Sequence, residues 1–103
     1  MQGFFYAHLA PTMKIPTKTF FSSGQAAFYF SRDHGTLYYA DGSTRAEGPL
    51  YNGKPEGEWL FYDKKGRLTQ TGFFREGRRH GLWTKFDSKG NISRKTFLNG
   101  RLL

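Results

Sequence analysis

The side chains able to do chemistry in this chain are few, and their spacing argues against most reactions. Three histidines stand far apart, at His8, His34 and His80, and there is no cysteine. That removes cysteine nucleophiles, thiolate zinc sites and disulfide scaffolds, and it leaves no ligand spacing that would hold a metal. No nucleophile elbow, phosphate-binding loop or dinucleotide fingerprint is present. Asp63 and Asp87 recur at turns, where an aspartate accepts hydrogen bonds from backbone N–H groups. No catalytic residue, metal or cofactor is expected, and the reading is of a protein that is not an enzyme.

What remains is cationic chemistry. The net charge is +8. Residues 1–63 carry five Lys/Arg against six Asp/Glu, while residues 64–103 carry eleven against two, Glu76 and Asp87. The cations come in groups: Lys64, Lys65 and Arg67, then Arg75, Arg78 and Arg79, then Lys85 and Lys89, then Arg94 and Lys95. Such a distribution suits an acidic partner protein, an anionic lipid surface or nucleic acid. It equally keeps an open-edged sheet soluble.

The elements that must carry these residues are written twice. "GEWLFYDKKGRLTQTGFFREGRRH" is followed at once by "GLWTKFDSKGNISRKTFLNGR". Gly57 falls on Gly81, Trp59 on Trp83, Tyr62 on Phe86, Asp63 on Asp87, Gly66 on Gly90, Leu68 on Ile92 and Phe73 on Phe97, each 24 residues apart. The frame runs back to Tyr38, Gly42, Gly48 and Gly53, while Gly100 stands one residue short of the offset from Gly77. His80 takes the place held by Glu56, an exchange a catalytic group would not tolerate. Each unit holds two runs of about eight residues, rich in aromatic and β-branched types and separated by glycine-bearing clusters. Those are strand and turn signals. Asn52-Gly53 and Asn99-Gly100 are the dipeptides of tight hairpins.

The expected fold is all-β: a single twisted sheet of antiparallel hairpins in repeats of about 24 residues. The repeat domain is expected over residues 36–103. Residues 1–35 would form a cap or degenerate hairpin with a less ordered start, because a repeat array needs its ends covered. The opening "MQGFFYAHLAPTM" has no basic flank and reads as part of the protein rather than a signal sequence. Without cysteine or an apolar run of membrane-spanning length, a cytoplasmic home is expected.

The run "YNGKPEGEWLFYDKKGRL" resembles the MORN-repeat variant, and within it the YwqK family. The resemblance rests on Tyr51, Asn52, Gly53, Lys54, Gly57, Trp59, Tyr62, Asp63, Gly66 and Leu68. A second copy supplies Gly77, Arg78, Gly81, Trp83, Phe86, Asp87, Gly90 and Ile92, with Glu76 and Arg78 standing where the motif has Asn and Lys. A last, partial copy supplies Phe97, Asn99, Gly100 and Arg101. The resemblance covers about 65 residues and implies stacked β-hairpins. It further implies an antitoxin-like role in bacteria, with partners that range from proteins to anionic phospholipids.

The matching residues are turn glycines and packing rings, so they carry the fold. The expected work is binding, above all of a protein, with an acidic one favoured by the charge. Anionic phospholipid or nucleic acid, and a purely structural module, are the alternatives. The contact residues expected are Trp59 and Trp83, if exposed, with Arg75, Arg78, Arg79, Lys64, Lys65, Lys85 and Arg94. Alternate turns of a meander emerge on the same edge. Arg75, Arg78 and Arg79 should therefore share one rim with Lys54 and Arg101, and Lys64, Lys65 and Arg67 the other with Lys89. Aromatics fall on both faces of the strands, so alternation does not choose the inner one. An open array also predicts either an N-terminal cap or self-association through a sheet edge.

Overall fold

A computed structural model describes residues 20–103. His8, the opening segment and the less ordered start expected for residues 1–16 lie outside them. The described residues form nine strands: β1 Phe28–Phe30, β2 His34–Tyr38, β3 Thr44–Tyr51, β4 Lys54–Pro55, β5 Gly57–Tyr62, β6 Leu68–Arg75, β7 Arg78–Phe86, β8 Ile92–Leu98 and β9 Arg101–Leu102. They join in one antiparallel sheet that is not closed, in the order β1-β2-β3-β5-β6-β7-β8-β9, with β4 paired to β3 alone. The domain boundary expected after residue 35 falls inside β2, which is continuous with the sheet on both sides. Ahead of β1, the Ser-Ser-Gly turn closes only a single bridge, Phe20 to Ala26.

Two kinds of turn alternate along the sheet. At one end, Asn52-Gly53, Glu76-Gly77 and Asn99-Gly100 all take positive φ at both residues, the geometry that continues strand twist through a two-residue hairpin. At the other end, Asp63 Oδ1 accepts the N–H groups of Lys65 and Arg67 at 2.9 and 3.0 Å. Asp87 Oδ1 does the same for Lys89 and Asn91, both at 2.9 Å.

The hairpins also clasp one another. The Gly77 N–H donates to the Pro55 carbonyl at 3.0 Å, and the Gly100 N–H to that of Arg79 at 2.7 Å. The Glu76 N–H donates to Glu56 Oε1 at 2.9 Å, and the Asn99 N–H to His80 Nδ1 at 3.2 Å. Glu56 and His80 are thus interchangeable because each is an acceptor for the next turn's backbone.

The inner face carries Leu37, Ala46, Leu50, Trp59, Phe74, Trp83 and Phe97, all buried. A single sheet makes this core by laying its rings flat on glycines. Trp59 lies over Gly48, where an added Cβ would sit 2.4 Å from the ring, and Trp83 lies over Gly72, where it would sit 2.0 Å away. The indole N–H of Trp59 donates to the Pro49 carbonyl at 2.8 Å, and that of Trp83 to the Phe73 carbonyl at 2.9 Å. Buried indole donors need such partners.

One sequence correspondence does not survive. Phe73 is 44% exposed, while Phe97 is 8% exposed and packs on Trp83 at 6.2 Å between ring centroids. The register gives the reason. Phe74 stands opposite Gly57, and Phe97 opposite Gly81, so the structural counterpart of Phe97 is Phe74. A bulge between Phe61 and Tyr62 leaves Thr69 without an opposite number in the first hairpin, and β7–β8 lacks that extra residue. The last strand is therefore offset by 23 residues over most of its length, which makes Lys95 the counterpart of Gly72 and Arg94 that of Thr71.

Candidate functional site

Two cation-lined hollows stand out. The first lies on the rim made by the two-residue turns. It is a cavity of about 360 Å³ lined by Lys54, Arg75, Glu76, Arg78 and Asn99. Arg75 and Arg78 stand directly opposite each other across the β6–β7 ladder. Like charges in that position repel, and Lys54 from the previous turn adds a third. Glu76 is the one acid in the lining, so an excess of positive charge is left at the surface. Of the five cations expected on this rim, Lys54, Arg75 and Arg78 line the cavity, and Arg101 is not in its lining.

Arg79 departs from that rim. It follows Arg78 in an extended strand, so its side chain turns to the inner face. Its guanidinium lies 5.3 Å from the Trp83 ring and 5.1 Å from the Phe97 ring, a stacked cation–π arrangement. Its Nε is buried and has no hydrogen-bond partner among the described residues. Burial holds its pKa below the ordinary arginine value, though an arginine stays charged at any physiological pH.

Arg79 forms one wall of the second hollow, a cavity of about 270 Å³ on the inner face whose lining also includes Lys85, Ser93, Lys95 and the rings of Trp83 and Phe97. Lys95 stands directly opposite Trp83, and Lys85 opposite Ser93. The sequence placed Lys85 among the candidates by its divergence from Phe61. It did not single out Lys95 as a contact, because the frame of 24 hid its equivalence to Gly72.

Trp59 and Trp83 do not meet the condition set for them as contacts. They are 0% and 3% exposed and belong to the core. On the other rim, Lys64 lies 5.8 Å from the Tyr39 ring and Lys65 is exposed. Arg67 is paired with Asp63 at 3.0 Å, so this rim is in part neutralised. Arg94 is exposed on the outer face, opposite Thr84. The repeat-defining Gly42, Gly53, Gly57, Gly66, Gly77, Gly81, Gly90 and Gly100 all take positive φ, and Tyr62 and Phe86 are half-buried near the aspartate turns. The Tyr62 hydroxyl donates to Glu47 at 2.8 Å; burial first, and that bond second, push its pKa up.

Among the described residues no helix is long and apolar enough to cross a membrane. No three His, Cys, Asp or Glu among them gather in a way that would hold a metal ion. Comparison with protein-family models, curated proteins and solved structures finds no match for this chain.

Proposed function

We propose that this chain is a non-enzymatic, repeat-built binding module that recognises an acidic surface of a partner protein, the antitoxin-like role implied by its resemblance to MORN-variant proteins. The observation that supports this most is the rim cavity, where Lys54, Arg75 and Arg78 converge around one carboxylate. A solvated surface has no need to place two arginines opposite each other across a ladder. Three neighbouring cations on a rigid hairpin end match clustered carboxylates on another protein.

Charge reversal at Arg75→Glu and Arg78→Glu should abolish capture of the partner from the native cytosol, with the fold unchanged by circular dichroism. Undiminished capture would reject the rim as the contact. A second reading has one observation in its favour, the presence of cations on both rims. It is electrostatic binding of anionic phospholipid or nucleic acid. That reading requires affinity to fall steeply with salt for vesicles or oligonucleotides, and it fails if protein capture persists where these no longer bind. Self-association through the open sheet edge is read from light scattering on the same samples.

A further inference from the structure

The inner-face cavity carries a more specific reading, which rests on the protein-binding proposal but uses a different surface. We infer that this cavity is a carboxylate-binding pocket, in which an acidic side chain of a partner protein sits between Arg79, Lys85 and Lys95.

The repeat itself shows what is unusual here. In the preceding hairpin, the counterparts of these three residues are Pro55, Phe61 and Gly72. Pro55 is fully buried, Phe61 packs on Trp83 at 5.6 Å between centroids, and Gly72 lies beneath the Trp83 ring. That slot is closed by apolar contact. One hairpin on, all three positions have become cations and the slot is open. The change is concerted, and it costs repulsion among like charges that an anionic guest removes.

No acid lines the pocket. The carboxylates within 4 Å of a basic side chain among the described residues are Glu47, beside His34, and Asp63, beside Arg67, so no carboxylate neutralises any of the three cations. Arg79 is held in place by the two rings beneath it and keeps a donor without an acceptor. A guanidinium fixed on two rings is suited to a carboxylate, which it can grip through two parallel bonds. Gln70 and Ser93 add neutral hydrogen-bonding groups to the walls.

The same geometry disfavours single-stranded nucleic acid. Binding of that kind relies on bases stacking on accessible rings, and here Trp83 and Phe97 are buried beneath Arg79. A hollow of about 270 Å³ has room for one side chain rather than a run of bases.

The test is a titration of isotope-labelled protein with decaglutamate at low salt, followed by NMR. The reporters are the Arg79 Nε–H, the Trp83 indole N–H and, for the rim, the Arg78 amide. The expected result is a saturable shift of the Arg79 and Trp83 signals. Because Arg79 is half-buried and stacked on the core rings of Trp83 and Phe97, variants are placed at the two exposed lysines. Lys85→Gln and Lys95→Gly should each weaken binding by about tenfold, as loss of a charge-assisted contact does, whereas Arg32→Gln, in the exposed turn between β1 and β2, should weaken it by less than about threefold. Shifts confined to the Arg78 rim, with Arg79 unmoved, would overturn the pocket and leave the acidic-partner reading standing. Absence of saturable shifts anywhere would overturn both. Tighter binding of an oligothymidylate that displaces the peptide from Arg79 would reassign the pocket to nucleic acid.

Discussion

The β5–β6 and β7–β8 hairpins are two answers to one backbone plan. Each places a tryptophan flat on the glycine of the preceding strand and ties its indole N–H to the next carbonyl. Each opens with a positive-φ glycine, Gly57 or Gly81, and each holds the following two-residue turn by a side-chain acceptor, Glu56 or His80. They differ in what fills the space beyond the tryptophan. Beyond Trp59, β6 of the same hairpin supplies Phe74 at 6.1 Å, and the next hairpin supplies Trp83, which covers Gly72. Beyond Trp83 there is Phe97 on one side and a cation-lined hollow on the other. The difference teaches that the residues shared by the two copies make the sheet, and that the unshared ones decide whether an inter-hairpin slot is closed as core or left open as a site.

The largest effect expected from this comparison is at the tryptophans. Trp59→Ala should cost about 3–5 kcal/mol, the usual loss for a buried aromatic, and Trp83→Ala should cost less, because its far side already faces a hollow. Urea unfolding measures both. Equal losses would show that the second slot is as closed as the first. The glycine platforms come next. Gly72→Ala drives a Cβ into Trp83 and should cost about 1–3 kcal/mol by overpacking, whereas Lys95→Ala, at the corresponding position, should change stability by less than about 0.5 kcal/mol. Smaller, and of opposite sign, is Glu76→Asn. Glu76 holds a φ of 51° where the flanking turns have Asn52 and Asn99. Replacing it should raise stability by about 0.5–1 kcal/mol, since asparagine tolerates the left-handed region better than glutamate.

The sheet was legible because its signals are local. Each Asn-Gly or Asp-x-x-Gly cluster states its turn without reference to the rest of the chain, and the runs between them are short enough to exclude helices. The inner face was not legible, because Trp59 and Phe61 point one way and Leu60 and Tyr62 the other, and both pairs are apolar. What decides it is Gly48 and Gly72, whose missing side chains make room for a ring from the next strand. The sequence shows those glycines but not which ring meets them. The site was partly legible. Lys85 could be found as a departure from Phe61, but Lys95 was hidden by the absence of a single bulge residue, which shifts β8 by one and puts Lys95 rather than Thr96 opposite Trp83. Arg79 looked like a rim residue by its place beside Arg78, and only strand alternation takes it inside.

The smallest expected effect separates the two aspartate turns. Backbone N–H donation, from Arg67 to Asp63 and from Asn91 to Asp87, leads the causes that hold both carboxyls below their ordinary value of 3.8. A carboxyl depressed in the folded state contributes stability above its unfolded value and loses it as the pH falls through the folded one. Stability should therefore be flat above about pH 4 and decline below it, and Asp63→Asn with Asp87→Asn should flatten that acid slope. The two turns differ in their second partner, since Asp63 also receives the Arg67 guanidinium and Asp87 the neutral Asn91 amide, each at 3.0 Å. Salt screens an exposed ion pair but not a neutral hydrogen bond. Thermal melts across the acid range, at low and high salt, should therefore show the Asp87→Asn variant losing more of its remaining acid slope to salt than the Asp63→Asn variant does. Equal losses would mean that the backbone N–H bonds alone set both carboxyls and that the Arg67 pair contributes nothing.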